Sequence, residues 1–375
     1  MHGHIAYLDH AATTPMRPEA VAAMLPFLTE HYGNPSGSHA AARHARLALD
    51  DAREEVAAAL GAQPGEVVFT AGGTEADNLA ITGVHARRPG TVLCPAAEHH
   101  AVLHTCAALG GRVVPTLPDA TVDLDALADS LGPETSVVSV MLANNEVGTV
   151  TPLAEVAAVV RQHAPNAALH TDAVQAFAWL DVATLAAPAD LVAVSAHKFG
   201  GPKGVGALVV RDGTPISPVL HGGGQERDRR SGTHNVAGIV ALAAAMRATV
   251  ATRRDTVERV AALRDRLADG LMEAVPGAVE TGPRHSKVAG NCHLRFPGVE
   301  SEALLILLDR ERVCASAGSA CASGAIEPSH VLVAMGLSAS EANSSLRLSL
   351  GAASTDADVD LALQVVPKAV TQLAD

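Results

Sequence analysis

Between residues 66 and 210, short apolar runs alternate with helix-length stretches, and few folds accept that pattern. The runs Glu66–Thr70, 91–94, 112–115, 136–142, 168–172, Asp190–Val194 and 206–210 predict strands. Stretches 99–109, 123–131 and 152–163 between them predict helices. Most of these runs are apolar throughout rather than alternating, as expected when both faces of a sheet are covered. The chain is therefore expected to be α/β, with a mostly parallel sheet flanked by helices. Only 5 Phe, 2 Tyr and 1 Trp occur in 375 residues, so the core must be built from Ala, Val and Leu.

Outside this region the pattern changes. Pro15 and Pro18 suit the start of a helix running to about Glu30, and Gly33–Ser38 is a turn-rich loop before an alanine-rich helix through Ala59. From about residue 235 a long helical region, Val236–Val275, leads away from the sheet, and Pro276-Gly277 and Thr281-Gly282-Pro283 mark a change of domain. The remainder predicts strands 292–296 and 346–350 and helices 301–311, 329–335 and 355–373, a smaller C-terminal α/β domain. The expected division is an N-terminal arm (1–15) packing with the small domain, a large domain (16–255) and a small domain (256–375).

In such a sheet, ligands collect at the carboxyl ends of the strands. Lys198 lies there, in Ser195-Ala196-His197-Lys198-Phe199-Gly200-Gly201, and a desolvated lysine can form a Schiff base with an aldehyde cofactor. Ala71-Gly72-Gly73-Thr74 turns a strand into a helix, whose unpaired N–H groups and positive dipole end suit a phosphate. This turn matches neither the dinucleotide fingerprint nor the P-loop. Glu98-His99-His100 and Asn144-Asn145-Glu146 also follow strands; they either cap and shape turns or face a ligand. Asp172 ends a strand, as a helix cap or as the partner of a buried cation. Asn34 is a turn residue or a ligand contact. His100 and His104 lack a third ligand at useful spacing, so no metal site is expected.

Charge and cysteines narrow the class. The balance of 27 Lys+Arg against 40 Asp+Glu, net −13, argues against nucleic acid or an anionic membrane as partner. No apolar run approaches the length of a membrane span, and Met1–Tyr7 lacks the regions of a signal peptide. Five irregularly placed cysteines predict neither a disulfide framework nor a zinc site, which fits a reducing cytoplasm. One of them, Cys321, sits in a stretch of small residues, Cys314 to Gly324, with almost nothing to bury; an exposed, reactive thiol is expected. Arg347 is an arginine inside a predicted strand.

Several of these motifs together resemble one family. Leu8-Asp9-His10-Ala11-Ala12-Thr13-Thr14-Pro15, Gly33-Asn34-Pro35-Ser36, Gly73-Thr74-Glu75-Ala76-Asp77-Asn78, Asn144-Asn145-Glu146-Val147-Gly148 and Ser195-Ala196-His197-Lys198 look like those of NifS/IscS-type cysteine desulfurases. So do His221-Gly222-Gly223-Gly224-Gln225-Glu226, Arg230-Ser231-Gly232-Thr233 and Ser316-Ala317-Gly318-Ser319-Ala320-Cys321. These enzymes belong to the class V aminotransferase group of fold-type I pyridoxal-phosphate enzymes, and the resemblance runs from residue 7 to about 351.

The resemblance implies the cofactor pyridoxal 5'-phosphate and a set of roles. Lys198 would hold the cofactor and later shuttle a proton, and Asp172 would pair with its ring nitrogen. His99 would be catalytic, stacking on the ring and serving in acid/base steps, with Gln175 and Asn145 bonding around it. Gly73, Thr74, Ser195 and His197 would hold the phosphate, completed by Thr233 from the other subunit of a homodimer. Arg347 and Asn34, with Asn145, would bind the substrate L-cysteine. Cys321 would be the nucleophile that takes sulfur as a persulfide and passes it to an acceptor protein, an iron–sulfur scaffold or a tRNA-thiolation enzyme. Selenocysteine lyase or transaminase chemistry is the alternative on such a scaffold.

Overall fold

The structure is a computed structural model that describes residues 4–318 and 328–374. In chain order the first half contains β1 (Ala6–Tyr7), α1 (Pro18–Thr29), α2 (Ala40–Ala59), β2 (Val67–Thr70), α3 (Gly73–Arg87), β3 (Thr91–Pro95), α4 (His100–Ala108), β4 (Arg112–Val114), α5 (Leu124–Ser130), β5 (Thr135–Ser139) and α6 (Leu153–His163). There follow β6 (Ala168–Asp172), α7 (Val182–Leu185), β7 (Leu191–Ser195), β8 (Gly206–Val210) and α8 (Val236–Ala274). The last part contains β9 (Val279–Glu280), β10 (Asn291–Arg295), α9 (Ser301–Arg310), β11 (Val313–Cys314), α10 (His330–Ala334), α11 (Ala339–Ala342), β12 (Ser345–Ser349) and α12 (Asp356–Ala374).

Seven strands form one sheet in the order β2-β8-β7-β6-β5-β3-β4. Only β8 runs against its neighbours; β3, β4, β5, β6 and β7 pair in parallel. The carboxyl ends of β2, β3, β5, β6 and β7 therefore share one edge, the edge that carries the site. Strands β2, β5, β6, β7 and β8 are buried along their whole length, which is why their sequences do not alternate. Separate apolar clusters pack around the sheet, one with Val138, Leu169 and Val194 and another with Val137, Leu191 and Leu208, as successive side chains on a strand point to opposite faces.

The run expected as strand 136–142 ends at Ser139 as regular structure, yet Val140 and Leu142 still donate to the carbonyls of His170 and Asp172. Its last residues thus stay registered against β6 and deliver Asn144 and Asn145 to the site.

A smaller body has its own core, with Leu294, Phe296, Leu346 and Val366. Its sheet is antiparallel, with β10 between β9 and β12. The N-terminal arm joins this body: β1 pairs in parallel with β11, and Ala6 and Leu8 are fully buried in the same core. Helix α8 serves both bodies, burying Ile239–Met246 in the large core and Val260–Leu271 in the small one. Among the described residues α8 alone has the length and apolar content to cross a membrane, and 61% of its apolar window is buried inside the protein.

Candidate active site

Lys198 lies in a single 3₁₀ turn, Ala196–Lys198, that follows β7 directly. Its Nζ donates to the carbonyls of Ala11 at 2.6 Å and Ala12 at 2.9 Å, so the N-terminal arm forms one wall of the site. Next to β7, Asp172 ends β6 with 6% exposure and accepts the Val174 amide at 2.8 Å. Burial pushes its carboxyl up, while His99, that amide and Lys198 work to lower it. A cation brought against Asp172 would therefore meet a carboxyl poorly paired by the protein.

His99 caps α4, its Nδ1 accepting the Ala101 amide at 3.1 Å. That bond leaves the proton of the neutral ring on Nε2. Burial keeps His99 neutral by pushing its pKa down, against the attraction of Asp172. Side-chain donor atoms of His99, Asp172 and Asp77 lie within 4.8 Å of one another.

A cavity of about 330 Å³ joins these groups, and Gly73, Thr74, Asn145, Gln175, Ser195, His197 and Arg347 also line it. At its end beside α3, Gly72 precedes the helix with φ of 149° and no side-chain cap, so the first amides of the helix are left for a ligand. A Cβ on Gly73 would lie 2.7 Å from Val174 Cγ2. His197 is held to a pKa of about 4 by burial, with Lys198 and Lys203 adding to the effect. Gln175 Nε2 donates to Ala11 O at 2.8 Å. Among the described residues Asn145 Oδ1 is buried without a partner, a cost that a ligand donor would remove.

Arg347, on β12, is 4% exposed. Its Nη1 donates to Asn145 O and its Nη2 to Asp9 Oδ1, both at 3.0 Å, and its Nε has no partner among the described residues. A guanidinium fixed in this way suits a substrate carboxylate. The arrangement as a whole can hold a flat ring with an anionic group at the α3 end and a cationic nitrogen at Asp172, beside an amine and a fixed guanidinium.

Two expected residues are not brought in. Asn34 is exposed, and its Oδ1 accepts the Ser36 amide at 3.0 Å within its own turn. Thr233, expected to act from a second subunit, is exposed and does not line this cavity. Cys321 lies outside the described residues, but Gly318 and His330, on either side of 319–327, both line the cavity. Glu146 joins these two ends: Ser329 Oγ donates to its Oε2 at 2.5 Å, and a Cβ on Gly318 would lie 2.9 Å from the same oxygen.

Three features escaped the sequence. Asp77 and Glu98, at 1% and 0% exposure, sit inside recognised motifs, yet only the fold sets them beside Asp172. Burial, then Asp172, pushes both carboxyls up. His330 packs on His100 with ring centroids 4.4 Å apart, a neighbour that sequence spacing cannot reveal.

The sequence matches the family described as aminotransferase class-V over residues 6–362. The IscS-like cysteine desulfurase of Mycobacterium tuberculosis is 45% identical over 383 aligned positions, taking in 98% of this chain and 97% of the relative. The cysteine desulfurase IscS of Methanosarcina thermophila is 42% identical, over 98% of this chain and 92% of its own. A solved structure of a NifS-like protein superposes with a TM-score of 0.92 at 35% identity, covering 98% of this chain and 100% of the other.

Proposed function

The chain belongs to the class-V aminotransferase family, alongside the cysteine desulfurases, and from that premise we propose that it is a pyridoxal-phosphate-dependent cysteine desulfurase. The observation that carries this reading is one cavity lined by Lys198, Asp172, His99 and Arg347, with both described ends of the Cys321 segment at its wall. The unpartnered Asn145 Oδ1, the poorly paired Asp172 and the uncapped start of α3 are what pyridoxal phosphate requires of a site. When bound, the cofactor supplies an electron sink that loosens the Cα–H and Cβ–S bonds of an attached amino acid.

The chain's own residues do the rest. Lys198 holds the cofactor and moves a proton at Nζ; Asp172 keeps the ring nitrogen protonated. The α3 amides, Thr74, Ser195 and His197 take the phosphate, and Gln175 and Asn145 orient the ring. His99, neutral and with its proton on Nε2, would face the ring and serve in acid/base steps. Arg347 binds the carboxylate of L-cysteine. The Cys321 thiolate attacks the substrate sulfur, so that a sulfur–sulfur bond forms as Cβ–S breaks; with one proton added, L-alanine leaves and a persulfide stays on Cys321. The electrons of the broken bond remain with the alanine carbon, and no outside oxidant or reductant enters.

Thr233 completes the phosphate site from a second subunit. What supports this is its exposure, its absence from its own cavity, and a wide opening at Gly72, Thr74, Ser195 and His197 on the phosphate side. The persulfide passes to a protein acceptor in the cytoplasm, an iron–sulfur scaffold or a tRNA-thiolation enzyme.

The test is intact-mass analysis of the reduced holoenzyme after L-cysteine, with alanine assayed in the same tube. One extra sulfur with alanine, both lost in Cys321→Ser, is expected. Alanine without protein-bound sulfur would point to a lyase, and neither product would refute the proposal.

A further inference from the structure

Ala11, Gln175 and Lys198 line not only the catalytic cavity but also a second one, of about 240 Å³. This second cavity lies where the arm, the large core and the small body meet, between the start of α1, the middle of α8 and the residues after β12. Met16, Pro18, Trp179, Phe199 and Leu350 give it apolar walls.

Its charge is one-sided. Among the described residues Arg17, Lys198 and Arg253 line it and no Asp or Glu does, in a chain whose net charge is −13. Lys198 is committed to the carbonyls of Ala11 and Ala12, so the two arginines carry the argument. Arg17 Nε donates to Phe199 O and Arg253 Nη2 to Phe177 O, each at 3.2 Å. Among the described residues neither forms an ion pair, and Arg253 Nε is buried with no partner. Glu19 and Asp181 act on them only through space, and burial works against both charges. His10, the remaining titratable group in the lining, is held neutral by burial, with a pKa of about 4.

The two arginines stand on adjoining walls of the cavity, tied through one segment. Thr249 Oγ1 donates to Phe199 O, the same carbonyl that holds Arg17, and Arg253 stands one turn beyond Thr249 on α8. A half-buried guanidinium without a carboxylate lacks the compensation that buried charges normally have.

We propose that this cavity is a second ligand site, selective for a small organic monocarboxylate with a ring-sized apolar body, whose carboxylate is received by Arg17 and Arg253. Such an occupant would touch both bodies at once and the flank of Lys198.

The probe is 3-phenylpropionate, titrated into the holoenzyme by calorimetry, with 3-phenylpropan-1-ol as its uncharged counterpart. Saturable binding of the carboxylate is expected, with the alcohol weaker by about tenfold or more, the scale of a charge-assisted hydrogen bond. Arg17→Met and Arg253→Met should each weaken the carboxylate by a similar factor, and Met16→Trp should block it by filling the space. Arg347→Met should leave this binding intact. No saturation, equal binding of acid and alcohol, or loss on Arg347→Met instead of Arg253→Met would each overturn the proposal. The acid–alcohol comparison needs no variant, so it decides even if a substituted protein fails to fold.

Discussion

Replacing Glu226 by Gln tests whether one buried carboxylate anchors the loop that carries Thr233. Residues Glu226, Arg227 and Asp228 all have positive φ, at 51°, 56° and 62°. Three successive left-handed residues with side chains cost roughly 1–2 kcal/mol each. Glu226 offsets that strain with four bonds: from Arg53 Nη2 at 2.6 Å and Nη1 at 2.9 Å, from the Phe69 amide at 2.9 Å and from His234 Nε2 at 2.7 Å. Burial works to raise its pKa, but His234, Arg53 and that amide hold it at about 2, against 4.5 for an ordinary glutamate. Through linkage, this gap corresponds to about 3 kcal/mol of stability. Because the folded value is depressed, the contribution is fully present above pH 4.5 and is lost as pH falls towards 2. Glu226→Gln also leaves the buried Arg53 without its counter-charge, for a total cost of about 3–5 kcal/mol. Denaturant unfolding of both proteins across pH 8 to 3 measures the difference. The gap should be constant down to pH 5 and narrow below it. A gap under about 1 kcal/mol at pH 7, or one that does not narrow in acid, would refute the reasoning.

Three further outcomes follow from the same geometry. His170 is fully buried, bonded to Ser139, and held to a pKa of about 3 by burial; unfolding below pH 6.5 therefore takes up a proton there. Stability in His170→Asn should fall less steeply with acid than in the parent, by up to about 1.4 kcal/mol per pH unit between 6.5 and 3, read from paired denaturation curves. Arg347→Lys replaces a two-pronged donor by a point charge, and steady-state kinetics should show KM for L-cysteine raised by about tenfold or more. Gly73→Ala places a methyl 2.7 Å from Val174 Cγ2 at the start of α3, so cofactor titration of the apoprotein should show weaker binding, with the fold intact by circular dichroism.

The site was legible where chemistry is carried by residue type at a strand end. Lys198, Asp172 and His99 follow apolar runs, and the run itself announces the edge of the sheet. Asp77 and Glu98 were not legible as a cluster, because nothing local says that three carboxyls share one dry volume. Short elements such as α7, β1 and β11 were missed for a related reason. Two to four residues carry no period: β1 and β11 exist only because each supplies the other's hydrogen bonds, and α7 is a single turn closed by its own bonds from Leu185 to Asp181 and from Ala186 to Val182. The antiparallel direction of β8 was equally hidden, since a buried strand reads alike in either direction.

The pairing of β1 with β11 has a consequence for the order in which the enzyme comes into being. The two strands are separated by roughly 300 residues, which a ribosome adds in about 15–60 s. The large sheet can close as its strands emerge, but Ala6 and Leu8 have no core to enter until β10, β11 and β12 exist. The arm that supplies the Ala11 and Ala12 carbonyls to Lys198, and the Arg347 that meets Asp9, are thus delivered by the same late event. A truncated or stalled chain would own a lysine at a strand end but no substrate pocket. Competence to handle cysteine arrives only with the finished polypeptide.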